Sequence, residues 1–279
     1  MINTYIPFIN SSEKKHLNYS LKSNYISTYG PIVKNFENKF SKKFNFKYSI
    51  ALNSGTSALH AALIAANVKK DDIVIVPSYT FAATVNVISY LGAIPWFFDC
   101  DKNLILDADQ IKKTFEKKTE VYNNKLILKK NKKIIKCLIV VQSMGQNIEF
   151  KTFENLAKKN NLKIIFDSAA CHDPKIFDFK KNKSSSFCFS FNGNKTITTG
   201  SGGMFSTNSL KLANKVKILS SVGKKINQYD YHEIGYNYKM SNLQASLGLS
   251  QLNKLEIIKK HKKRIFNYYQ NNLKLVKQY

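Results

Sequence analysis

Residues 48–66, YSIALNSGTSALHAALIAA, join a short apolar strand to an apolar helix through a turn that contains one glycine. The pattern predicts a strand over residues 48–52 and a helix over residues 57–66. The turn at 53–56 then lies at the carboxyl end of a strand and at the amino end of a helix. Free backbone N–H groups, the helix dipole and hydroxyl side chains make such a position suitable for a phosphate group. An ordinary helix cap made by serine or threonine is the alternative interpretation.

Outward from this stretch, strand patterns and helix patterns alternate along the chain. Further strands are predicted over residues 73–76, 94–98, 135–141 and 163–166, and helices over residues 31–44, 81–91, 107–116 and 150–159. The lysine- and asparagine-rich residues 117–134 are expected on the surface. This alternation predicts an α/β/α sandwich, in which helices cover both faces of a mostly parallel sheet. Active sites in such folds form at the carboxyl ends of the strands, which places residues 53–57, 78–81 and 167–170 together.

Two strand ends carry charged side chains that suggest catalysis. Asp167 follows the apolar strand at 163–166, and Lys195 follows an aromatic strand around Phe187 and precedes the glycine-rich residues 200–203. A lysine beside a bound phosphate can have the lowered pKa that Schiff-base chemistry needs, and a carboxylate can keep a pyridinium nitrogen protonated. The residues alone leave simpler roles open, in which Asp167 caps a helix and Lys195 lies in a surface loop.

The composition of the 279-residue chain limits the remaining classes of function. Its formal charge is +26, but Arg264 is the only arginine. Proteins that read nucleic acid favour arginine for bidentate contacts with guanine and phosphate, so a solvated lysine-rich surface explains this charge better than nucleic-acid binding. Scattered cysteines, the lack of a signal-peptide pattern and the short apolar runs predict a cytosolic protein without a membrane segment. No metal site is predicted.

Six short motifs, in a fixed order between about residues 25 and 255, resemble the DegT/DnrJ/EryC1/StrS family of sugar aminotransferases. The motifs are Ile26-Ser27-Thr28 with Gly30-Pro31, Asn53-Ser54-Gly55-Thr56-Ser57-Ala58-Leu59, Val76-Pro77-Ser78-Tyr79-Thr80-Phe81, Phe166-Asp167-Ser168-Ala169, Phe189-Ser190-Phe191-Asn192-Gly193-Asn194-Lys195 and Gly235-Tyr236-Asn237-Tyr238-Lys239-Met240. The resemblance implies the fold type I architecture of transferases that depend on pyridoxal 5'-phosphate (PLP), with PLP as the cofactor.

The resemblance implies a role for each matching residue around this cofactor. Lys195 matches the lysine that binds the cofactor as a Schiff base and moves the proton, and Asp167 matches the partner of the pyridine nitrogen. Phe81 matches the aromatic residue that stacks on the cofactor ring. The residues that match the phosphate site are Gly55, Thr56, Ser57 and Ser190.

The resemblance also implies substrates and a partner. The positions where the family contacts its substrate are Ser27, Thr28, Tyr231 and His232. Asn237 resembles a residue that reaches the phosphate of the neighbouring protomer, which implies a homodimer with shared active sites. The implied reaction moves an amino group from L-glutamate to a keto-deoxysugar nucleotide, a UDP- or dTDP-linked 4-keto-6-deoxyhexose, for the synthesis of surface polysaccharide or lipopolysaccharide.

Two side chains depart from the family pattern. The position three residues after Asp167 is Ala170, where the family usually has a polar side chain, and Cys171 and His172 follow it as residues that could compensate. Lys239 stands where the family usually has arginine, so bidentate contacts are lost at that position.

The end of the sequence raises a second hypothesis. We expect a large PLP-binding domain over residues 1–240 and a long helix within residues 241–279 that leads to a truncated C-terminal domain. Such a chain could be a weakened or inactive family member that serves as a structural partner subunit. The intact Lys195 and Asp167 favour the enzyme instead.

Overall fold

The computed structural model describes residues 5–178, 182–225, 230–231 and 233–273. The strands are β1 (Tyr48–Leu52), β2 (Ile73–Pro77), β3 (Ile94–Phe98), β4 (Thr119–Tyr122), β5 (Lys125–Leu128), β6 (Ile135–Val141), β7 (Lys163–Asp167), β8 (Ser185–Ser190) and β9 (Gly203–Thr207). The α-helices are α1 (Ser11–Lys22), α2 (Pro31–Lys43), α3 (Gly55–Ala65), α4 (Ala82–Tyr90), α5 (Ala108–Lys118), α6 (Phe150–Lys159), α7 (Leu210–Ser220), α8 (Asn242–Asn253) and α9 (Leu255–Asn272). Among these residues, no helix combines the length and the apolar character needed to cross a bilayer.

Seven of the described strands form one sheet in the order β1-β9-β8-β7-β6-β2-β3. Neighbours from β8 to β3 pair in parallel, whereas β9 runs antiparallel to both β1 and β8. The prediction of a mostly parallel sheet is confirmed. Since β1 and β8 both oppose β9, every strand of the sheet except β9 ends at the same edge.

Alternate residues of the central strands face two separate hydrophobic clusters. On β6, Leu138 and Val140 belong to one cluster, and Cys137 and Ile139 belong to the other. The first cluster contains residues of α2, α5, α6 and α8, and the second contains residues of α3, α4 and α7. Successive side chains of a strand point to opposite faces of the sheet, so burial of both sets means that both faces are covered. The predicted α/β/α sandwich is therefore confirmed.

Phe40 of α2 lies at the centre of an aromatic cluster that joins this helix to β8. Its ring centroid lies 4.2 Å from that of Phe44 in a stacked pair, and 5.1 Å from that of Phe189 in an edge-on pair. The ring of Phe191 packs edge-on at 5.7 Å. All four rings are fully buried, and pairs at these separations add to the stabilisation from burial. The cluster thus fixes from one face the strand that leads to Lys195.

Residues 117–134, expected on the surface, contain a hairpin formed by β4 and β5. Asn123 and Asn124 between the strands have φ values of 47° and 59°, as the two central residues of a type I′ turn require. Leu126 and Ile127 of β5 are buried, and Leu126 joins the first cluster. The lysine-rich composition concealed this hairpin, because its apolar contribution comes from only a few residues.

The long helix predicted from about residue 241 is divided in the structure into α8 and α9, which meet at Lys254. The ammonium group of Lys254 is turned inward, where it pairs with the buried carboxylate of Glu13 on α1. Burial acts to raise the pKa of Glu13, but the hydrogen bonds from Lys254 and its other partners lower it to about 2. This ion pair attaches α1, a helix that the sequence analysis did not predict, to the junction of α8 and α9.

Replacing Phe40 with alanine should lower the free energy of unfolding by about 3–5 kcal/mol, because the change removes a buried ring and leaves a cavity. Phe266→Ala is the matched control, since Phe266 is 59% exposed on α9 and its loss should change stability by less than about 0.5 kcal/mol. Urea unfolding followed by circular dichroism measures both variants. Equal unfolding midpoints would contradict the role assigned to the aromatic cluster.

Candidate active site

A cavity of 540 Å³ lies at the edge of the sheet where the parallel strands end. Its walls are the segments that follow β2, β6, β7 and β8, together with the amino end of α3. The residues that line it include Gly55, Thr56, Phe81, Thr84, Gln142, Asp167, Ala170, Ser190 and Lys195. The structure therefore brings together the strand ends that the sequence analysis selected, in a volume typical of small-molecule sites, about 300–1,000 Å³.

The amino end of α3 presents backbone donors to this cavity. Ser54 caps the helix, and its hydroxyl oxygen accepts from the N–H of Ser57 at 3.0 Å. Within the described residues, the N–H groups of Gly55 and Thr56 have no acceptor, and both residues line the cavity. Ser57 is buried, and its hydroxyl donates to the side chain of Asn53 at 2.6 Å. Of the residues expected at the phosphate site on this helix, Gly55 and Thr56 thus face the cavity and Ser57 braces the turn.

Gly55 packs directly against Ser190 at the end of β8. A Cβ atom on Gly55 would lie 2.8 Å from the Cβ atom of Ser190 and 3.2 Å from its hydroxyl oxygen. Side chains do not tolerate separations below 3.0 Å without a shift of the neighbouring atoms. Glycine at position 55 therefore lets the Ser190 hydroxyl lie beside the free N–H groups of α3, and together they form a cradle for an anion.

Asp167 lies at the end of β7 with its carboxylate buried at the floor of the cavity. One oxygen accepts from the hydroxyl of Thr84 at 2.7 Å, and the other accepts from the N–H of Ala169 at 3.1 Å. Burial raises the pKa of Asp167, while the hydrogen bonds from Thr84 and Ala169 and the charge of Lys195 act in the opposite direction. The carboxylate is thus positioned by two donors and needs a further positive partner to be fully compensated.

Thr84 is a residue that the sequence analysis missed. Its hydroxyl also accepts from the hydroxyl of Thr80 at 2.9 Å, so a chain of hydrogen bonds runs from Thr80 through Thr84 to Asp167. The available signal was the spacing of four residues between two threonines at the start of a predicted helix, which places both on one face. Gln142 was missed as well, although it follows β6 directly and its position at a strand end was the same signal that selected Asp167.

Lys195 lies in the connection between β8 and β9 and is half-buried at the cavity wall. Its backbone N–H donates to the carbonyl of Asn192 at 3.0 Å, and its own carbonyl accepts from the hydroxyl of Tyr5. Phe81 forms the opposite rim of the cavity, where its ring is 82% exposed. The backbone around Lys195 is therefore held by hydrogen bonds on both sides, while its side chain faces the cavity.

Cys171 and His172 do not replace the polar side chain that is absent at Ala170. Both are buried outside the 540 Å³ cavity. His172 donates from Nε2 to the carbonyl of Ser190 at 2.9 Å, and burial lowers its pKa to about 3, so it is neutral and fixed. Burial raises the pKa of the Cys171 thiol to about 11. Ala170 itself lines the cavity with a methyl group.

Four of the residues expected to contact the substrate or the partner are described by the structure, and they do not line this cavity. Ser27, Thr28, Tyr231 and Asn237 are all exposed. Thr28 lines a separate pocket with Lys34 and Glu37, and Asn237 offers its backbone carbonyl to Asn53 at 3.1 Å. His232 lies outside the described residues.

Comparisons with known proteins fit this arrangement. The model of the DegT/DnrJ/EryC1/StrS aminotransferase family matches residues 7–279. The chain belongs to this family. The GDP-perosamine synthase of Escherichia coli O157:H7 is 34% identical over 278 residues, which are 98% of this chain and 71% of that protein. The UDP-4-amino-4,6-dideoxy-N-acetyl-beta-L-altrosamine transaminase of Campylobacter jejuni strain 81-176 is 34% identical over 268 residues, 94% of this chain and 66% of that protein.

Solved structures of the DegT/DnrJ/EryC1/StrS family share the fold as well. A family member from Brucella abortus superposes with a TM-score of 0.83 at 26% identity, covering 95% of this chain and 69% of that one. Members of the family depend on pyridoxal phosphate, so PLP is the cofactor of this protein.

The residues of the cavity fit PLP. The cofactor carries a phosphate, a ring nitrogen that pairs with an acidic side chain, and a carbonyl group that reacts with an amine. The cavity offers unpaired N–H groups at a helix amino end, a buried carboxylate with a raised pKa and a lysine, each on a different element. No position in this donor set conflicts with the cofactor.

Gly55→Ala should weaken PLP binding by at least about tenfold, because the added methyl group must push α3 away from Ser190, at a cost of about 1–3 kcal/mol. Gly193→Ala is the matched control in the connection that carries Lys195, since a Cβ atom at Gly193 would meet nothing within 4 Å. Titration of the purified protein with PLP, followed by absorbance, gives both affinities. Equal affinities would rule out the close contact as a requirement of the cradle.

Thr84→Val should change the pH dependence of PLP binding. Loss of the hydroxyl removes a donor to Asp167 and raises its pKa further, so the carboxylate becomes neutral at a higher pH as the solution is acidified. The acid limb of a plot of affinity against pH should therefore move to higher pH. Thr84→Ser keeps the donor and should leave the limb in place, and identical profiles for the two variants would argue against this hydrogen bond.

Proposed function

We propose that this chain is an aminotransferase that uses PLP to move the amino group of L-glutamate to the keto group of a nucleotide-linked deoxysugar. One observation carries the proposal: Asp167 at the end of β7 and Lys195 in the connection after the neighbouring β8 line one cavity, together with the free N–H groups of α3. A lysine, a buried carboxylate and an anion cradle are the three protein groups that this chemistry requires.

The residues of the cavity divide the work of the reaction. PLP, when bound, supplies an electron sink for the electron pair released as a C–H bond of the amino donor breaks. Lys195 attaches the cofactor and then holds the transferred proton on its Nζ atom. Asp167 keeps a proton on the ring nitrogen, and Thr84 orients that carboxylate. Gly55, Thr56 and Ser190 bind the phosphate, and Phe81 covers the ring against water.

The names of the relatives support a nucleotide sugar as the amino acceptor. One is a GDP-perosamine synthase and another is a transaminase named for a UDP-linked 4-amino-4,6-dideoxy sugar. We propose a 4-keto-6-deoxyhexose linked to UDP or dTDP as the acceptor here, with the product used for surface polysaccharide. Comparing UDP-, dTDP- and GDP-linked acceptors at equal concentration decides which base is preferred.

A second copy of the chain is proposed to complete the site. Asn237 lies outside the cavity of its own chain and is exposed, so its side chain is available to a neighbour. The cavity exposes three large apolar side chains, Tyr79, Phe81 and Met144, and a group of exposed apolar side chains is typical of a surface that a partner covers. The resulting homodimer is proposed to act in the cytoplasm, which agrees with the free cysteines of the chain.

The decisive experiment is an absorbance spectrum of the purified protein with PLP, before and after L-glutamate is added. We expect a visible band that moves to the near ultraviolet with glutamate in the unmodified protein. Lys195→Ala should lack the visible band and should lose at least about a thousandfold in the rate of amino transfer. Lys211→Ala, a change of an exposed lysine on α7, should behave like the unmodified protein.

Two other outcomes would contradict the proposal. A band that forms but ignores glutamate would mean a protein that holds the cofactor without transferring an amino group. Equal inactivity of the unmodified protein and Lys195→Ala would favour the structural partner subunit.

A further inference from the structure

A second cavity, of 500 Å³, lies beside the cofactor cavity. One wall is the turn after β6 with Met144 and Gly145, another is formed by residues 170–175, and α9 closes the third side. We call it the lysine cavity because five lysines line it: Lys175, Lys259, Lys260, Lys262 and Lys263. The role proposed above for the cofactor cavity makes no use of it.

Most of the positive charge of the lysine cavity is not neutralised. The carboxylates in its lining are Asp173 and Glu256, and both lie near the same ammonium group, that of Lys259, at 2.6 Å and 3.5 Å. Within the described ranges, the other four lysines have no carboxylate partner. The spacings of three and four residues between the α9 lysines place them on neighbouring positions of the helix surface. The cavity thus concentrates positive potential over a concave surface.

The lysine cavity and the cofactor cavity share part of their walls. Met144 and Ala170 line both, and the consecutive residues Lys195 and Thr196 line one each. Lys262 of α9 lies over the ring of Tyr5, with its Nζ atom 5.2 Å from the ring centroid, and the hydroxyl of Tyr5 donates to the carbonyl of Lys195. A ligand that reacts at Lys195 and extends past Ala170 would therefore reach the lysines.

The number of separate ammonium groups indicates the kind of anion that the cavity suits. A lysine acts as a point charge that can bind phosphate, and five lysines line this cavity. Two linked phosphates with several negative charges match a set of separate ammonium groups better than the single side-chain carboxylate of an amino donor does.

We propose that the lysine cavity binds the diphosphate of the nucleotide-sugar substrate while the keto sugar lies at Lys195. This inference rests on the proposed function and adds to it the position and orientation of the acceptor. The amino donor, which lacks the diphosphate, uses the cofactor cavity alone.

The test compares Lys260→Gln/Lys263→Gln with a matched pair on another helix. Lys113→Gln/Lys117→Gln removes two exposed lysines of α5, which are four residues apart and have no ion pair among the described contacts. Calorimetric titration at low salt measures the binding of UDP, GDP, inorganic pyrophosphate and uridine to each full-length variant, with and without PLP. We expect the α9 pair to weaken binding of UDP or GDP by about tenfold and to reduce its salt dependence. The α5 pair should match the unmodified protein, and uridine should not distinguish the variants.

Two results would overturn the inference. They are equal affinity of both variants for UDP and for GDP, and no measurable binding of either nucleotide, whereas pyrophosphate should lose affinity with the α9 pair as the nucleotides do. If the protein takes up no PLP but binds nucleoside diphosphate through α9, the proposed function fails and the lysine cavity stands. In the active enzyme, the α9 pair should raise KM for the nucleotide sugar by about tenfold, with little change in kcat or in KM for glutamate.

Discussion

The common direction of the strands is the constraint on which the site depends. A parallel connection must carry the chain back across a face of the sheet, so each strand of the run ends at the same edge. Residues separated by more than a hundred positions in sequence, such as Gly55 and Ser190, thereby become neighbours. The two hydrophobic clusters hold the sheet between two helical layers, and aromatic packing around Phe40 fixes the strand from which the lysine-bearing connection departs.

Burial of the Asp167 carboxylate at this edge of the sheet lowers the stability of the folded protein. An ionised group in an apolar environment is unfavourable unless it is paired. Thr84 and Ala169 supply part of the compensation, and a protonated ring nitrogen would supply the rest. The stability of the protein and its affinity for the cofactor are consequently linked, because a cofactor that binds only the native state stabilises that state.

The sequence predicted the strands and the residues at their ends better than it predicted the hydrogen-bond partners of the side chains. Local apolar patterns were sufficient for β1, β3 and β6, whose bounds agree with the structure. Ser57 follows the phosphate-site pattern, yet its hydroxyl donates a hydrogen bond to the side chain of Asn53. A local sequence pattern does not predict which of two polar partners a hydroxyl binds. Thr84 was missed since its function depends on Asp167, which is distant in sequence. The division between α8 and α9 was missed for a similar reason, because Lys254 at their junction pairs with Glu13, which is distant in sequence.

The antiparallel strand β9 has a consequence for local opening of the structure. Ser190 pairs with Gly203 in the β8–β9 ladder. Residues 191–202 therefore form a loop whose two ends are held by interior strands of the sheet. Within it, Phe191 donates from its N–H to the carbonyl of Gly202 at 2.7 Å, and Ser201 bonds to the carbonyl of Asn53 at 2.9 Å. The ladder therefore fixes both ends of the segment, and amide hydrogens of β8 should exchange with solvent only through large-scale unfolding. Lys195 is thus carried by a segment whose two ends are fixed in the core of the protein.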